Sequence, residues 1–117
     1  TTTYLDTWCL GKGSSFLELC DTFRDRDTMG WIVAVEDNLG APLSGAQVFT
    51  VVRDAGGALI TEKQGFTGES GEAFLTWRIP RRQAPGPYTV EIVDVIHGSF
   101  VFDLSTSSPT EAPFTIQ

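Results

Sequence analysis

Few residues in this sequence have the type and spacing that chemistry requires. The one histidine, His97, lies within a few positions of Asp94, Ser99 and Asp103. A hydroxyl, an imidazole and a carboxylate are the parts of an acyl-transfer relay. Here all of them crowd into one turn segment, where each side chain is expected at the surface without an oxyanion cradle. The expectation is therefore a turn histidine, no catalytic residue and no enzyme. Glu62, Glu69, Glu72 and Glu91 supply carboxylates, but glycoside hydrolysis needs two of them facing across a cleft. These four fall on strands and turns expected to face solvent.

Asp21, Asp25 and Asp27 offer hard oxygen ligands of the kind calcium takes. Arg24 and Arg26 stand between them, so a solvated, salt-bridged turn is expected, with calcium as the weak alternative. No other metal or cofactor is expected. A structural zinc usually takes four ligands, and no glycine-rich loop opens a helix that would hold a nucleotide.

Cys9 and Cys20 are the only cysteines. They flank LGKGSSFLEL, and pairing them closes a short loop worth about 2–3 kcal/mol in the chain-entropy picture. The alternative is two free thiols, one of them buried as a small apolar side chain. The spacing is not that of a redox pair. A disulfide implies an oxidising compartment, so an extracellular or cell-surface location is expected. Sugar binding needs exposed rings. Strand phase turns Trp31 and Trp77 inward, which leaves Trp8, with Phe49 or Phe74, as candidate ligand contacts. Arg78, Arg81 and Arg82 form the only basic cluster, expected to keep a sheet edge soluble.

The totals narrow the class. At 117 residues the chain is one domain long. Fifteen acidic residues against eight basic give a net charge of -7. That balance disfavours nucleic acid and anionic membrane surfaces, which both require positive charge facing them. No apolar run approaches the roughly 20 residues of a membrane span.

The elements that must position these residues read as strands. Trp31 to Glu36, Ala46 to Arg53, Leu59 to Gln64, Glu72 to Ile79, Tyr88 to Val95 and Ser99 to Leu104 are rich in β-branched and aromatic residues. Phe114 to Ile116 closes the series, and Thr2 to Leu5 is expected as an edge strand. Turn clusters separate them, and PRRQAPGP at Pro80 to Pro87 is expected to be all loop. Nowhere does a helical period persist. Residues Ala73, Leu75, Trp77 and Ile79 share one face, as do Trp31, Val33 and Val35. Two strands are apolar on both faces, however. Ile32 and Ala34 oppose the first set, and Phe49 and Val51 oppose Ala46, Val48 and Val52. Either the N-terminal segment covers that second face, as expected, or a partner does.

Three motifs carry a resemblance. V-x-D-x-x-G-x-P-L-x-G-A-x-V spans Val35 to Val48, T-G-E-S-G-E-A spans Thr67 to Ala73, and P-G-P-Y-T-V spans Pro85 to Val90. Together they resemble bacterial immunoglobulin-like modules of the Big-1 kind. The run Val93 to Asp103 resembles the end of Ig-like modules appended to secreted bacterial hydrolases. Transthyretin-like and carboxypeptidase-regulatory-like sandwiches share the Gly-x-Pro-x-x-Gly-Ala element. The resemblance covers Trp31 to Ile116. It implies an antiparallel Ig-like β-sandwich of about seven strands over residues 30–117, with residues 1–29 as an N-terminal extension. It further implies a non-catalytic spacer, stabilising or adhesion domain of a secreted or surface bacterial protein, partnered by neighbouring domains. The alternative is a carbohydrate-binding accessory domain that targets a linked extracellular enzyme to polysaccharide.

Overall fold

The computed structural model describes residues 2–10, 16–37, 39–98, 100–101 and 111–117. The described residues form ten strands: β1 (Thr2–Leu10), β2 (Phe16–Leu19), β3 (Thr22–Phe23), β4 (Thr28–Glu36), β5 (Gln47–Asp54), β6 (Leu59–Phe66), β7 (Glu72–Arg78), β8 (Gly86–His97), β9 (Phe100–Val101) and β10 (Glu111–Ile116). They pair into two sheets. Sheet one runs β2-β1-β4-β7, and sheet two runs β3-β10-β8-β5-β6 with β9 beside β8.

Seven of these strands make the frame. The first, second and fifth (β1, β4, β7) lie together, and the third, fourth, sixth and seventh (β5, β6, β8, β10) lie together. That division is Ig-like, with the fourth strand joined to the third instead of the fifth. Tyr88 supplies a second hallmark. It stands at the start of β8 and its hydroxyl donates back to the Ala84 carbonyl oxygen, 2.6 Å away, while Gln83 Nε2 donates to the same hydroxyl at 3.0 Å. This is the corner by which an Ig-like sandwich anchors its sixth strand. Among the described residues every ladder is antiparallel except β3 with β10, which is parallel.

The core lies between the sheets and follows the alternation of the sequence. Met29, Trp31, Val33 and Val35 of β4 and Ala73, Leu75 and Trp77 of β7 face Val48 and Val52 of β5 and Tyr88, Val90 and Ile92 of β8. Trp31 is fully buried, so its N–H needs a partner. It donates to Thr50 Oγ1 at 3.1 Å, and Thr50 Oγ1 donates to the Lys63 carbonyl oxygen at 2.9 Å. Phe114 stacks on Tyr88 with 5.6 Å between centroids and meets Phe23 edge-on at 5.9 Å, which seats β3 on the rim.

The described residues within 1–29 form β1, β2 and β3, which join the two sheets. β1 pairs with β4 in continuous register from Thr2 opposite Glu36 to Cys9 opposite Met29. β2 folds back on its other side only over Trp8 to Leu10, so Thr2 to Leu5 pair with β4 alone and form the edge that was expected. Leu5 and Thr7 point inward and are buried. The backbone of the segment runs beside β4, while its Phe16 and Leu10 side chains reach over the outer face of β4 at Gly30. The acidic stretch read as a turn contains the short strand β3, and β8 begins two residues earlier than expected, with Pro87 opposite Thr115. A proline is tolerated at a strand start, where its missing N–H breaks little of the ladder.

Three connections share one five-residue turn. In the first, the Asp37 N–H donates to the Ala41 carbonyl oxygen and the Gly40 N–H to the Asp37 carbonyl oxygen. The same two bonds recur at Asp54, Gly57 and Ala58 and at Gly68, Gly71 and Glu72. Each turn places a glycine in the left-handed region, with φ of 83° at Gly40, 82° at Gly57 and 78° at Gly71. In the first two, an aspartate Oδ1 also accepts two backbone amides, Leu39 and Ala41 in one and Gly56 and Ala58 in the other. The middle one closes the β5–β6 hairpin, and the other two repeat its bonds within connections that cross between the sheets.

The glycines differ in their surroundings. A Cβ on Gly57 would meet nothing within 4 Å, whereas one on Gly71 would lie 2.8 Å from the Val35 carbonyl oxygen and 2.9 Å from Pro42 Cβ. Gly57→Ala is therefore expected to lower stability by about 1 kcal/mol, from backbone strain alone. Gly71→Ala should lose about 3 kcal/mol or more, because the connection itself must shift. Urea unfolding of both variants checks this. Equal losses would contradict it.

Candidate functional site

Cys9 and Cys20 form a disulfide with 5.3 Å between their Cα atoms, inside the normal range. Cys20 lies just beyond β2, where its N–H donates to the Thr7 carbonyl oxygen and Thr7 Oγ1 donates to the Cys20 carbonyl oxygen. The bond staples the β1–β2 hairpin against the rim of the core. Glu18 stands close to both sulfurs. This is the only set of three potential ligand groups that converges among the described residues, and it is no metal centre, because disulfide sulfurs are not thiolates.

The three aspartates considered for calcium do not converge. Asp25 Oδ2 accepts the Arg82 N–H at 2.8 Å, and Asp27 Oδ2 accepts the Arg24 N–H at 2.9 Å. Asp21 Oδ1 accepts the Thr22 hydroxyl at 3.3 Å. Each carboxylate is engaged with a different donor, and those of Asp25 and Asp27 hold their loops in place. Of the histidine constellation, Ser99 and Asp103 lie outside the described residues. Asp94 Oδ1 accepts the Val95 N–H at 2.9 Å and its side chain faces outward. Alternation along β8 turns His97 to the other face, so the two are not placed as base and orienting carboxylate. The four glutamates are dispersed over β6, the Gly68–Glu72 turn and β8, and Glu91 instead pairs with Arg53 at 3.3 Å.

Of the three candidate ligand-contact rings, two meet. Trp8 and Phe74 both lie on the outer face of sheet one, joined by Phe16. Phe16 sits 6.2 Å from Trp8 and 5.3 Å from Phe74, centroid to centroid. The rings are inclined by 61° and 78°. They form an edge-to-face cluster and not the coplanar platform on which a sugar ring stacks. Phe16 also explains part of the apolar second face. Its ring lies where a Cβ on Gly30 would stand, 2.6 Å from that position, so the ring covers β4 from the outside. Phe74 remains 55% exposed and Leu19 60%. Trp8 Nε1 is buried in this cluster without a hydrogen-bond partner.

Phe49 is on the opposite side of the molecule. The pairing of β5 with β8 slips between Phe49 and Thr50, so that Phe49 faces Asp94 and Thr50 faces Ile92. Val93 is the unpaired extra residue of a bulge, and both Val93 and Asp94 turn outward. The result is a groove of about 490 Å³ on the outer face of sheet two. Phe49, Val51, Val93 and Ile96 floor it, with Glu62 and Asp94 at its edges. The second apolar face of β5 thus lines an open groove, and the N-terminal segment does not cover it.

Sequence reasoning missed the groove, because a bulge shifts phase by one residue and leaves no compositional mark. It also missed Phe16, whose signal was Gly30, a strand residue with no side chain of its own to pack.

No family model and no curated relative matches the sequence. Among solved structures the chain is similar to the CARDB domain of the PF1109 protein from Pyrococcus furiosus, determined in complex with di-metal ions. The two share 18% identity with a TM-score of 0.44, over 99% of this chain and 88% of that one. A likeness this distant brings neither the ions nor any residue role to the present chain.

The seat of Phe16 on Gly30 is open to test. Gly30→Ala should displace the ring, expose the outer face of β4 and lower stability by about 1–3 kcal/mol, the usual range for overpacking. Urea unfolding, with the aromatic proton shifts of Phe16 and Phe74 as a local readout, measures both effects. A variant as stable as the parent with unmoved ring shifts would contradict the arrangement.

Proposed function

We propose that this chain is a non-catalytic Ig-like module of a secreted or cell-surface bacterial protein, of the Big-1 kind, serving as spacer and interaction domain beside other domains. The entry and exit of the frame support this reading most directly. β1 starts opposite Glu36, at the end of the sandwich that carries the 37–45 connection. β10 finishes opposite Gly86, at the end that carries the 79–85 loop. The described frame thus enters at one end of the sandwich and leaves at the other, as suits a unit threaded between neighbours. The disulfide supports the extracellular assignment, since such bonds persist in oxidising compartments.

Targeting of a linked enzyme to polysaccharide is the second reading, favoured by the exposed Phe74 beside Trp8. The inclined rings weigh against it, so the spacer and interaction role stands first.

Two measurements test the proposal. The first is the redox dependence of folding. The chain produced in an oxidising compartment should gain about two hydrogens in intact mass on reduction and lose about 3 kcal/mol of stability, the worth of closing so short a loop. A chain equally stable when reduced would count against a secreted origin. The second is a pull-down with insoluble neutral glycans. No retention is expected. Retention that disappears in Trp8→Ala would move the assignment to the polysaccharide-targeting reading.

A further inference from the structure

Five of the eight basic residues gather at one end of the sandwich. Arg24 and Arg26 lie in the loop between β3 and β4, and Arg78, Arg81 and Arg82 at the end of β7 and in the loop that follows. The two loops are bonded to each other. The Arg26 N–H donates to the Ile79 carbonyl oxygen at 2.9 Å, the Ile79 N–H to the Asp27 carbonyl oxygen at 2.8 Å, and the Arg82 N–H to Asp25 Oδ2 at 2.8 Å. Sequence alone shows only the second group of arginines. The cross-tie brings the first group to it.

Three further observations set this end apart. Arg26, Arg78 and Arg81 line a concave surface of about 460 Å³, with buried Ile79 and exposed Pro80 between them. Among the described residues the only ion pair is Arg53 with Glu91, so none of these five guanidinium groups is matched to a carboxylate. Asp25 and Asp27 lie in the same loops, but each is directed to a backbone amide. Finally, Arg26 and Arg82 are, among the described residues, the two non-glycine residues with left-handed backbones, at φ of 69° and 65°. Glycine is the residue that adopts this conformation without strain. Of the two, Arg26 lines the concave surface, and a long cation held there in a strained position points to a functional constraint.

We propose that this end binds an anionic polysaccharide through its sulfate or carboxylate groups. Guanidinium forks match such oxyanions bidentately. Among the described residues no aromatic ring lines the surface, so single-stranded nucleic acid would lack a stacking platform there. A protein partner would lack the large apolar anchor that dominates such interfaces. What remains is recognition by charge and fork geometry, which suits a flexible polyanion of repeated oxyanions. The site is distinct from the Trp8 cluster and does not depend on whether the chain is a spacer.

The test is retention of the full chain on immobilised heparin, a sulfated polysaccharide, over a salt gradient. Polygalacturonate, a carboxylated one, and duplex DNA serve as parallel probes. Despite its net charge of -7, the chain should be retained on at least one polysaccharide and released by rising salt. Whichever polysaccharide holds it to higher salt identifies the oxyanion. The R78E/R81E variant should bind weaker by roughly fivefold per arginine, the size expected of one exposed cation near an anionic surface. Arg26→Gly should also bind more weakly while melting no lower than the parent, and Trp8→Ala should bind as the parent does. Absence of retention on both polysaccharides overturns the proposal. So does undiminished binding by R78E/R81E or Arg26→Gly, or tighter binding to DNA than to either polysaccharide.

Discussion

The sandwich depends on one hydroxyl group. An Ig-like frame must pass from one sheet to the other more than once, and two of those crossings meet at Thr67. The connection from β4 to β5 and that from β6 to β7 lie against each other at the same end. Thr67 Oγ1 donates to the Leu43 carbonyl oxygen at 2.6 Å and accepts the Ala46 N–H at 2.9 Å. Its backbone exchanges two more bonds, from the Gly45 N–H to its carbonyl oxygen and from its own N–H to that of Ala46, both 2.9 Å. Thr67 is buried, so these groups have no water to fall back on. Next to it, the Val35 N–H donates to the Gly71 carbonyl oxygen at 2.7 Å, and the Leu43 N–H to that of Val35 at 3.0 Å. This mesh ties the two crossings together at this end of the sandwich.

The mesh gives the two sequence motifs a joint physical meaning. V-x-D-x-x-G-x-P-L-x-G-A-x-V and T-G-E-S-G-E-A are separate in sequence and form one unit in space. Asp37, Gly40 and Gly71 shape turns, Pro42 bridges to Glu36, and Thr67 joins the two motifs. Their polar groups are engaged in the scaffold. The surfaces that face outward lie elsewhere: the inclined rings on sheet one, the groove on sheet two and the arginine-rich end opposite the mesh.

Strand existence was legible because burial between two sheets imposes an alternation that Glu72 to Ile79 and Trp31 to Val35 display directly. The place of residues 1–29 was not. Thr2 to Leu10 reads T-T-Y-L-D-T-W-C-L, whose inward members Leu5, Thr7 and Cys9 include a threonine and a half-cystine, so the alternation is muted. The recurrence of Asp-x-x-Gly-Ala at Asp37 and Asp54 was visible in the sequence and would have identified the shared turn. The disulfide was legible from count and spacing, whereas the separation of Phe49 from Trp8 and Phe74 was not. Which sheet a strand joins is decided by long-range pairing, and a residue's own neighbourhood does not encode it. The same holds for the arginines, whose two groups are brought together by the β4–β7 pairing and by the bonds that tie Arg26, Asp27 and Asp25 to Ile79 and Arg82.

The most direct measurement is the equilibrium stability of Thr67→Val by urea unfolding. Valine keeps the shape of the side chain and removes only the hydroxyl. The buried Ala46 N–H and Leu43 carbonyl oxygen then lose a partner, each at about 1–3 kcal/mol. A loss of about 2–4 kcal/mol is predicted. A change within about 0.5 kcal/mol, the range of an ordinary surface substitution, would contradict the claim that this hydroxyl holds the two crossings together.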